Sequence, residues 1–305
     1  MILWCFSLLT LGGIRRSMER VISTNEGYIV AKQGDAASAV VHRLGIRHLS
    51  LEIFCRLWLL WREVHVGAYS DGRLSDVLSD IVYRRQKLFP VHILPERSDF
   101  QTISYLHTLP FLKPLKKKWV YRGFAANTYY VTWGTSVESV LMMAERALYA
   151  EIGKFWDKRG HVWWSLTQDQ FVILASIVEK ETHLFEEYSK IAKVYLRRLG
   201  PKLRGRLYAD PTVRYVAERH SIRLRARIFK KNLSIEDADN TYRYSGLPSC
   251  PIGNTSVHVL REIAFLNNLG EDEYFFWHPA YKKHVFSKTH SQHLARRRKA
   301  PQYGV

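Results

Sequence analysis

Hydrophobic and polar residues recur with helical spacing in the second half of the chain and predict two consecutive helices. The first begins at Thr167, with Gln170 three residues later as in a capping box, and carries the apolar run ILASIVEKET at 173–182. The second covers about 186–199, places its apolar residues on one face, and ends at Gly200 before a proline.

The apolar run of the first helix ends in two carboxylates, Glu179 and Glu181. A carboxyl group held against an apolar surface has a raised pKa, so it can keep a proton near neutral pH and act as a general acid. The alternative is a helix that simply emerges into solvent, and the run alone leaves both interpretations open. The two carboxylates lie roughly 200° apart around a helix, so only one of them can point into a given cleft.

Three shorter segments repeat the order strand, glycine turn, helix, at 27–40, 67–77 and 127–140. With a helical stretch at about 49–63, the first two predict a small α+β domain over 21–95. A linking region over 96–160 contains a Pro- and Lys-rich loop at 110–118 and a helix at 136–156. We therefore predict an α+β protein, in which the small domain precedes a larger mixed α/β domain at 161–305.

The last hundred residues add polar loops and a second strand region. Asp210 or Thr212 is predicted to cap a helix that begins at Asp-Pro-Thr-Val, 210–213. A polar and aromatic loop follows at 240–248. The composition then predicts a buried strand at 274–277, a strand at 285–289 and a basic helix at 291–299.

Composition limits the classes of function. The chain has 305 residues and a net charge of +18, which favours an anionic partner such as a membrane surface, a wall polymer or nucleic acid. No recognition helix, zinc finger or RNP-like strand is present, so we predict no nucleic-acid partner. Cys5, Cys55 and Cys250 are too scattered for a disulfide framework or a zinc site, and buried free thiols are the simpler interpretation. We predict no metal site and no cofactor; His284, His290 and His293 fit no strong metal-ligand spacing.

The N-terminal residues 1–14, MILWCFSLLTLGGI, are largely apolar and precede Arg15 and Arg16. This run is shorter than the ~20 residues that span a bilayer, and it lacks the small-residue cleavage site of a signal peptide. Three interpretations stay open for the segment 1–20: the tail of a membrane anchor whose upstream part is missing from this chain, an interfacial helix, or a core helix.

Five motifs occur in an order that resembles the endolytic murein transglycosylases of the YceG-like family. They are ASIVEKET at 175–182, DPTV at 210–213, NTY and GLP within 240–248, PI at 251–252, and HVFSKT at 284–289 with His293 after it. The upstream segments GAYSDG at 67–72 and NTYYVTWGTS at 127–136 are similar to the family's LysM-like and linking parts. The resemblance covers roughly residues 27–298.

The resemblance implies a LysM-like domain at 21–95 and a lytic transglycosylase, a carbon–oxygen lyase. Such an enzyme cleaves the β-1,4 bond between N-acetylmuramic acid (MurNAc) and N-acetylglucosamine (GlcNAc) inside peptidoglycan strands and leaves 1,6-anhydroMurNAc ends. It also implies a single-pass protein anchored by its N-terminal segment in the bacterial cytoplasmic membrane, with the catalytic domain facing the periplasm or cell exterior. Association with cell-wall synthesis enzymes is a further implication, and the anchor is the interpretation of residues 1–20 that we favour.

The resemblance assigns the catalytic acid/base to Glu179, and it implies a substrate-binding role for Asn240, Thr241, Tyr242, Asp210, Ser287 and Thr289. For two of these residues a simpler alternative stays open: Asn240 closes its own turn, or Asp210 caps a helix. His293 lies where the family closes its site and is more simply an exposed helix residue.

Several positions depart from the family pattern. Tyr208 stands where a glutamine is usual, and Asp239 replaces the first tyrosine of Tyr-Asn-Thr-Tyr. Ser249 and Cys250 replace Pro-Gly, and a Cys with a positive φ would cost ~1–2 kcal/mol unless the loop takes another shape. Gln292 and Leu294 also differ from the expected Glu and Asn.

Two alternatives to the transglycosylase stay open. One is a cell-wall-binding protein without catalytic activity. The other is a glycoside hydrolase on the same scaffold, which needs a second carboxylate to activate water. The sequence offers Asp210 and Asp239 for that role, whereas Glu181 lies on the wrong helix face.

Overall fold

The computed structural model describes residues 18–32, 35, 37–46, 55, 65–163, 165–200, 202, 204–225 and 228–300, which form two compact units. The first unit comprises residues up to Val91 with Pro110–Lys113 and Tyr130–Ser136, and the second comprises His92–Leu109, Pro114–Tyr129 and the residues from Val137 onward. Helices and short strands occur together in the described chain, which confirms the predicted α+β class. The domain limits 21–95, 96–160 and 161–305 stay predictions.

Short strands and helices alternate in the first unit. They are β1 (Val21–Ile22), β2 (Tyr28–Ala31), α1 (Ala37–Arg43), β3 (Gly67–Ser70), β4 (Gly72–Arg73) and α2 (Leu74–Tyr83). β2 pairs antiparallel with β3, placing Ile29 opposite Tyr69, and β1 pairs antiparallel with β4. The strands and helices predicted near 27–40 and 67–77 are thus confirmed. Apart from Cys55, the helix predicted at 49–63 lies outside the described residues.

The core of the first unit forms between these helices and strands. The buried residues of α2 follow the i, i+3, i+4, i+7 spacing of an apolar helix face: Leu74, Val77, Leu78 and Ile81. Burying each such side chain contributes about 1.5–3 kcal/mol. Cys55 lies in the same core as a free thiol, as predicted, and burial raises the pKa of this thiol to about 11.

Four further strands lie between residues 89 and 136: β5 (Phe89–Ile93), β6 (Leu112–Lys113), β7 (Asn127–Val131) and β8 (Thr135–Ser136). β6 and β8 pair in parallel, with Leu112 opposite Thr135. The predicted strand near residue 127 and the helix after it are both present, since β7 is followed along the chain by α4 (Val137–Gly153).

The second unit is mainly helical. Its helices are α3 (Asp99–His107), α4, α5 (Gln168–Glu181), α6 (Phe185–Leu199), α7 (Asp210–Arg219), α8 (Val257–Ala264) and α9 (His290–Lys299). The strands β9 (Tyr274–His278) and β10 (Lys283–Ser287) form an antiparallel hairpin. Single 3-10 turns occur at Trp156–Lys158, His161–Trp163 and Lys230–Asn232.

Helix α5 is the centre of the second unit. Its N-terminus has the predicted capping box, in which the Thr167 hydroxyl accepts the Gln170 N–H and the Gln170 side chain accepts the Thr167 N–H. Every residue from Phe171 to Glu179 is buried, because α6, α7 and α8 all pack against α5. A helix that is apolar on all sides requires such surroundings, and this burial encloses the carboxylate at its end.

Two details of the second unit correct the sequence predictions. Neither Asp210 nor Thr212 caps α7, because Ala209 occupies the N-cap position and provides no side-chain hydrogen bond. The predicted strand at 274–277 is present, but Trp277 is 41% exposed rather than buried. Composition alone cannot show which strand face the neighbouring elements cover.

Within the described ranges, no helix combines the length and apolar character needed to cross a bilayer. Residues 1–17, which include Cys5 and most of the predicted anchor segment, lie outside those ranges.

Candidate active site

Glu179 lies in the last turn of α5 and is 4% exposed. Its Oε2 accepts two hydrogen bonds from Ser256, one from the backbone N–H at 3.1 Å and one from the hydroxyl at 2.9 Å. Ser256 is the N-cap residue of α8, and its Oγ also accepts the Val259 N–H. A single residue at a helix N-terminus therefore holds one oxygen of the buried carboxyl group.

Burial raises the pKa of Glu179, and the two hydrogen bonds from Ser256 oppose this by favouring the charged form. The charge of Glu96 raises the pKa further, while His258 on α8 lowers it. The net shift is upward, so the carboxyl keeps its proton to a higher pH than an exposed glutamate does.

The segment before Ser256 runs along the C-terminal half of α5. The Ser176 hydroxyl donates to the carbonyl of Ile173 at 2.7 Å and accepts the Ile252 N–H at 3.0 Å, which ties this segment to the helix. A Cβ on Gly253 would lie 2.7 Å from the Glu96 carbonyl oxygen and 2.7 Å from Lys180 Cε. Glycine is required here because the backbone of residue 96 and the end of α5 both approach it closely.

Asn254 is fully buried and fastens the segment to residues 94–97. Its Nδ2 donates to the Leu94 carbonyl at 2.9 Å and to Thr102 Oγ1 at 2.8 Å. Its backbone N–H donates to the Arg97 carbonyl at 2.8 Å, and its carbonyl accepts the Glu96 N–H at 3.0 Å. The residues that hold Glu179 are thus continuous with those that hold Glu96.

Glu181 belongs to a different cluster on the other side of α5, as the helical spacing predicts. Its Oε2 accepts the Tyr195 hydroxyl at 2.8 Å, and its side chain is 15% exposed. Burial, with a smaller contribution from the charge of Asp210, raises the pKa of Glu181 to about 7. No described contact joins it to Ser256, so the two glutamates of the motif have different surroundings.

A buried Glu187–His284 pair lies next to Glu181. Glu187 Oε2 is 2.7 Å from His284 Nδ1 and accepts the Thr182 hydroxyl at 2.6 Å, while Oε1 accepts the His284 backbone N–H at 2.6 Å. Burial acts to raise the pKa of Glu187, but these hydrogen bonds outweigh it and the pKa is lowered. This pair fastens β10 to α6, which is a structural role.

Asn240 and Thr241 have buried side chains whose hydrogen-bonding groups are occupied. Asn240 Nδ2 donates to the carbonyls of Leu233 and Ile235, and its Oδ1 accepts the Tyr242 N–H. Thr241 Oγ1 accepts the Ala209 N–H at 3.1 Å and lies 2.9 Å from Thr212 Oγ1. These contacts shape the loop.

Tyr242 is the member of the NTY motif that is only partly buried. Its hydroxyl donates to Asp210 Oδ1 at 2.6 Å, and its ring lies edge-on to Tyr208 with 5.6 Å between centroids. Tyr208, at the departure from the expected glutamine, is 50% exposed and has a φ of 52°. Tyr242, Tyr208 and Asp210 form one cluster on the Glu181 side of α5, since the charge of Asp210 acts on Glu181.

The residues of the HVFSKT motif lie at the end of β10 and the start of α9. Ser287 is 1% exposed, and its Oγ has no hydrogen-bond partner among the described residues. Thr289 is the N-cap of α9, where its hydroxyl accepts the Gln292 N–H. His293 is half-buried against Tyr274 and Phe276, and burial lowers its pKa.

The backbone at 249–250 does not adopt the positive φ that would favour glycine. Neither Ser249 nor Cys250 has a positive φ, so the expected backbone cost of a cysteine does not arise. Ser249 donates two hydrogen bonds to the Asp239 carboxylate, and Cys250 Sγ lies 3.3 Å from the Tyr215 hydroxyl. Cys250 is a free thiol, half-buried, and burial raises its pKa.

Sequence reasoning missed Ser256 and Glu96. Ser256 does carry a signal, because a serine immediately before a segment with helical spacing of apolar residues is typical of an N-cap. Glu96 carries none of its own. Its importance depends on contacts with residues more than 80 positions away, which no local pattern encodes.

Comparison with known proteins identifies the family of this chain. The model of the YceG-like family matches residues 31–299. The chain belongs to the YceG-like family.

Individual relatives agree with this assignment. A Bacillus subtilis (strain 168) protein named endolytic murein transglycosylase is 30% identical over 161 residues, which is 52% of this chain and 41% of that protein. A YceG-like protein from Listeria monocytogenes, solved by crystallography at 2.6 Å, has a TM-score of 0.52 and 19% identity. That match covers 88% of this chain and 98% of the Listeria chain, and it shows a shared YceG-like fold.

Proposed function

We propose that this YceG-like protein is an endolytic lytic transglycosylase that cleaves the MurNAc–GlcNAc β-1,4 bond within peptidoglycan strands, with Glu179 as the general acid/base. The observation that supports it is the buried, proton-retaining Glu179 held on one oxygen by Ser256. The name of the Bacillus subtilis relative supports the same reaction class, although the match spans 41% of that protein.

The arrangement suits one carboxyl that both gives and takes a proton. Because both Ser256 donors meet Oε2, the proton of the neutral carboxyl belongs on Oε1. Glu179 first protonates the GlcNAc oxygen that leaves as the C1–O bond breaks. The MurNAc 6-hydroxyl oxygen then bonds to C1, and its proton returns to Glu179. No water is consumed, and the product carries a 1,6-anhydro end.

For the polar residues we propose two kinds of role. Tyr242 and Asp210 contact the glycan, because a partly exposed ring and an exposed, hydrogen-bonded carboxylate suit sugar faces and hydroxyls. Asn240 and Thr241 support them from the buried side of the loop. Thr289 borders the substrate from the β10–α9 corner, where it also caps α9, and the buried Ser287 supports that corner from within.

We also propose the setting that the family resemblance implies. Residues 1–20 contribute to an anchor in the bacterial cytoplasmic membrane, and the catalytic domain at 161–305 faces the periplasm or cell exterior. Residues 21–95 form a LysM-like domain that binds glycan strands. The +18 net charge suits a location near anionic lipids and wall polymers, where cell-wall synthesis enzymes are the expected partners.

The hydrolase alternative loses one of its two sequence candidates for a water-activating base. Asp239 is 1% exposed and forms a salt bridge with Arg219 at 2.6 Å, so it has no access to water. Asp210 is exposed and accepts the Tyr242 hydroxyl on the Glu181 side of α5, so it is the candidate that product analysis must test.

Digestion of purified glycan strands, with products identified by mass spectrometry, tests the proposal. Wild type is expected to release internal fragments with 1,6-anhydroMurNAc ends, and Glu179→Gln to reduce the rate by about 100- to 10,000-fold. Glu186→Gln, an exposed acid at the start of α6, is the matched control and should retain activity. Reducing ends in place of anhydro ends would indicate a hydrolase. Strand binding without cleavage by wild type would indicate a wall-binding protein.

A further inference from the structure

An open cleft of about 600 Å³ lies within the second unit, between α3 and the end of α7. Glu218, the next-to-last residue of α7, forms one wall. The other wall is a single face of α3 and the loop before it, where lining residues recur every three or four positions: Arg97, Phe100, Gln101, Ser104, Tyr105 and Thr108. A cleft of this size accommodates a small molecule or a short segment of a polymer.

Two contacts hold the walls of the cleft together. The Tyr215 hydroxyl on α7 donates to Asp99 Oδ1 at 3.2 Å, which joins α7 to the first turn of α3. The Tyr215 ring also lies 5.8 Å from the ring of Phe100, which is 40% exposed. The cleft therefore has a fixed shape, with an aromatic side chain open to a ligand.

Two opposite charges in the cleft have no ionic partner in the described part of the chain. Arg97 is half-buried, and its guanidinium lies 5.8 Å from the centroid of the Tyr105 ring without forming a salt bridge to a described carboxylate. Glu218 is also half-buried, and no described side chain bonds to its carboxylate. Because the two do not pair with each other either, the guanidinium is available to a carboxylate and the carboxylate to an ammonium group.

Hydrogen bonds connect the cleft to the segment that holds Glu179. The Arg97 carbonyl accepts the Asn254 N–H at 2.8 Å. Ser256, two residues further along that segment, donates both of its hydrogen bonds to the Glu179 carboxyl group. On the opposite wall, the helix that carries Glu218 packs directly against α5. The cleft therefore adjoins the proposed acid/base from both walls.

We propose that this cleft binds the peptide stem of the peptidoglycan substrate, with Arg97 on a stem carboxylate and Glu218 on a stem ammonium group. The stem is attached to the lactyl group of MurNAc, the sugar whose C1–O bond breaks, so it lies near Glu179 during the reaction. This inference rests on the proposed function and adds a second part of the same substrate to the site.

The chemistry of the cleft suits a peptide better than a further stretch of glycan. GlcNAc and MurNAc carry no ammonium group, so a glycan would leave Glu218 unpaired. A stem with a diamino acid offers both an ammonium group and a carboxylate. Its amide groups suit the neutral side chains of Gln101 and Ser104, and its aliphatic parts suit the exposed ring of Phe100.

Binding of a soluble stem tests the proposal without relying on cleavage. The full chain is titrated by calorimetry with a muramyl tetrapeptide that carries one free amine, and with the same compound after acetylation of that amine. Wild type should bind the free-amine probe roughly tenfold more tightly, because acetylation removes the charge that pairs with Glu218. Glu218→Gln should abolish this preference, and Arg97→Ala should weaken binding of both probes roughly tenfold.

Three controls accompany these variants. Arg97→Ala keeps the backbone carbonyl that bonds to Asn254, and Arg97→Lys keeps the positive charge and should recover part of the affinity. Arg298→Ala, on the exposed helix α9, removes one arginine elsewhere and should bind like wild type. Equal affinity of wild type for the two probes would overturn the proposal, as would wild-type binding in Arg97→Ala.

Strand cleavage separates this inference from the proposed function. Intact strands are compared with strands whose stems an amidase has removed. Arg97→Ala and Glu218→Gln should lose more kcat/KM on stem-bearing strands than on bare ones, and equal losses on both would overturn the proposal. Stem binding without cleavage by wild type would support the cleft and refute the transglycosylase. Cleavage without stem binding would refute the cleft and support the transglycosylase.

Discussion

Asp239 accepts two hydrogen bonds from Ser249, the backbone N–H on Oδ1 at 2.6 Å and the hydroxyl on Oδ2 at 3.1 Å. Both residues are departures from the pattern of the family that the chain resembles. A proline at 249 has no N–H to donate, so the two departures depend on each other. The Arg219 guanidinium donates hydrogen bonds to the carboxylates of Asp237 and Asp239. These three side chains form an ionic network that shapes the loop before Ile252.

This pairing predicts an order of stability losses. Ser249→Pro should lower the free energy of unfolding by about 1–3 kcal/mol, because a buried carboxylate loses a backbone donor that no other group replaces. Ser249→Ala should cost less, since the N–H remains. Urea unfolding of both variants checks this. Equal losses for the two would show that the backbone hydrogen bond contributes nothing.

Ser256→Ala should change the pH dependence of strand cleavage. Loss of the hydroxyl removes a donor that favours the charged form of Glu179, so the pKa of Glu179 should rise and the alkaline limb should move to higher pH. Stability should fall by about 1 kcal/mol, because α8 loses its N-cap. Ser256→Thr, which retains a hydroxyl, is the control. An alkaline limb at the wild-type position in Ser256→Ala would contradict the contact.

Gly253→Ala should disturb the site through sterics alone. The added Cβ would lie 2.7 Å from a backbone oxygen, so the loop at Glu96 must move, and we expect a stability loss of about 1–3 kcal/mol with reduced strand cleavage. Gly153→Ala is the matched control, because its Cβ meets no atom within 4 Å and should be neutral or slightly stabilising. Thermal unfolding of the two variants side by side tests the close approach. Similar melting temperatures would mean that the space beside Glu96 is larger than described.

Glu181 should make the stability of the protein depend on pH. Its folded pKa of about 7 lies above the ordinary glutamate value of 4.5, so the folded state binds the proton more tightly. The stabilisation is complete below about pH 4.5 and is lost as pH rises through 7, by on the order of 3 kcal/mol. Glu181→Gln retains an acceptor for Tyr195 and cannot ionise.

The comparison is made by urea unfolding of wild type and Glu181→Gln at pH 5 and pH 8. The variant should lose less stability than wild type between these two values, and the difference isolates Glu181 from the other titrating groups. Parallel pH dependences would show that Glu181 titrates normally.

Local sequence determined the helices around the site and the fold class. Thr167 and Gln170 specify where α5 begins, because a capping box needs only residues three positions apart. The continuous apolar run predicts that α5 is buried, and helical geometry alone separates Glu179 from Glu181. The sequence also predicted the order of strand, turn and helix near 67–77 and 127–140, because hydrophobic periodicity and turn residues are local signals.

Tertiary structure decided which groups surround each carboxylate. Ser256 lies 77 residues from Glu179, and Asn254 connects residue 96 to the same segment, so no spacing along the chain reveals these contacts. The same holds for Asp239, whose charge is neutralised by Arg219 on α7. Hydrophobic periodicity shows which face of a helix or strand is apolar, but long-range packing determines which polar groups contact a given carboxylate. The sequence therefore identified the catalytic candidate, and only the fold assigned its partners.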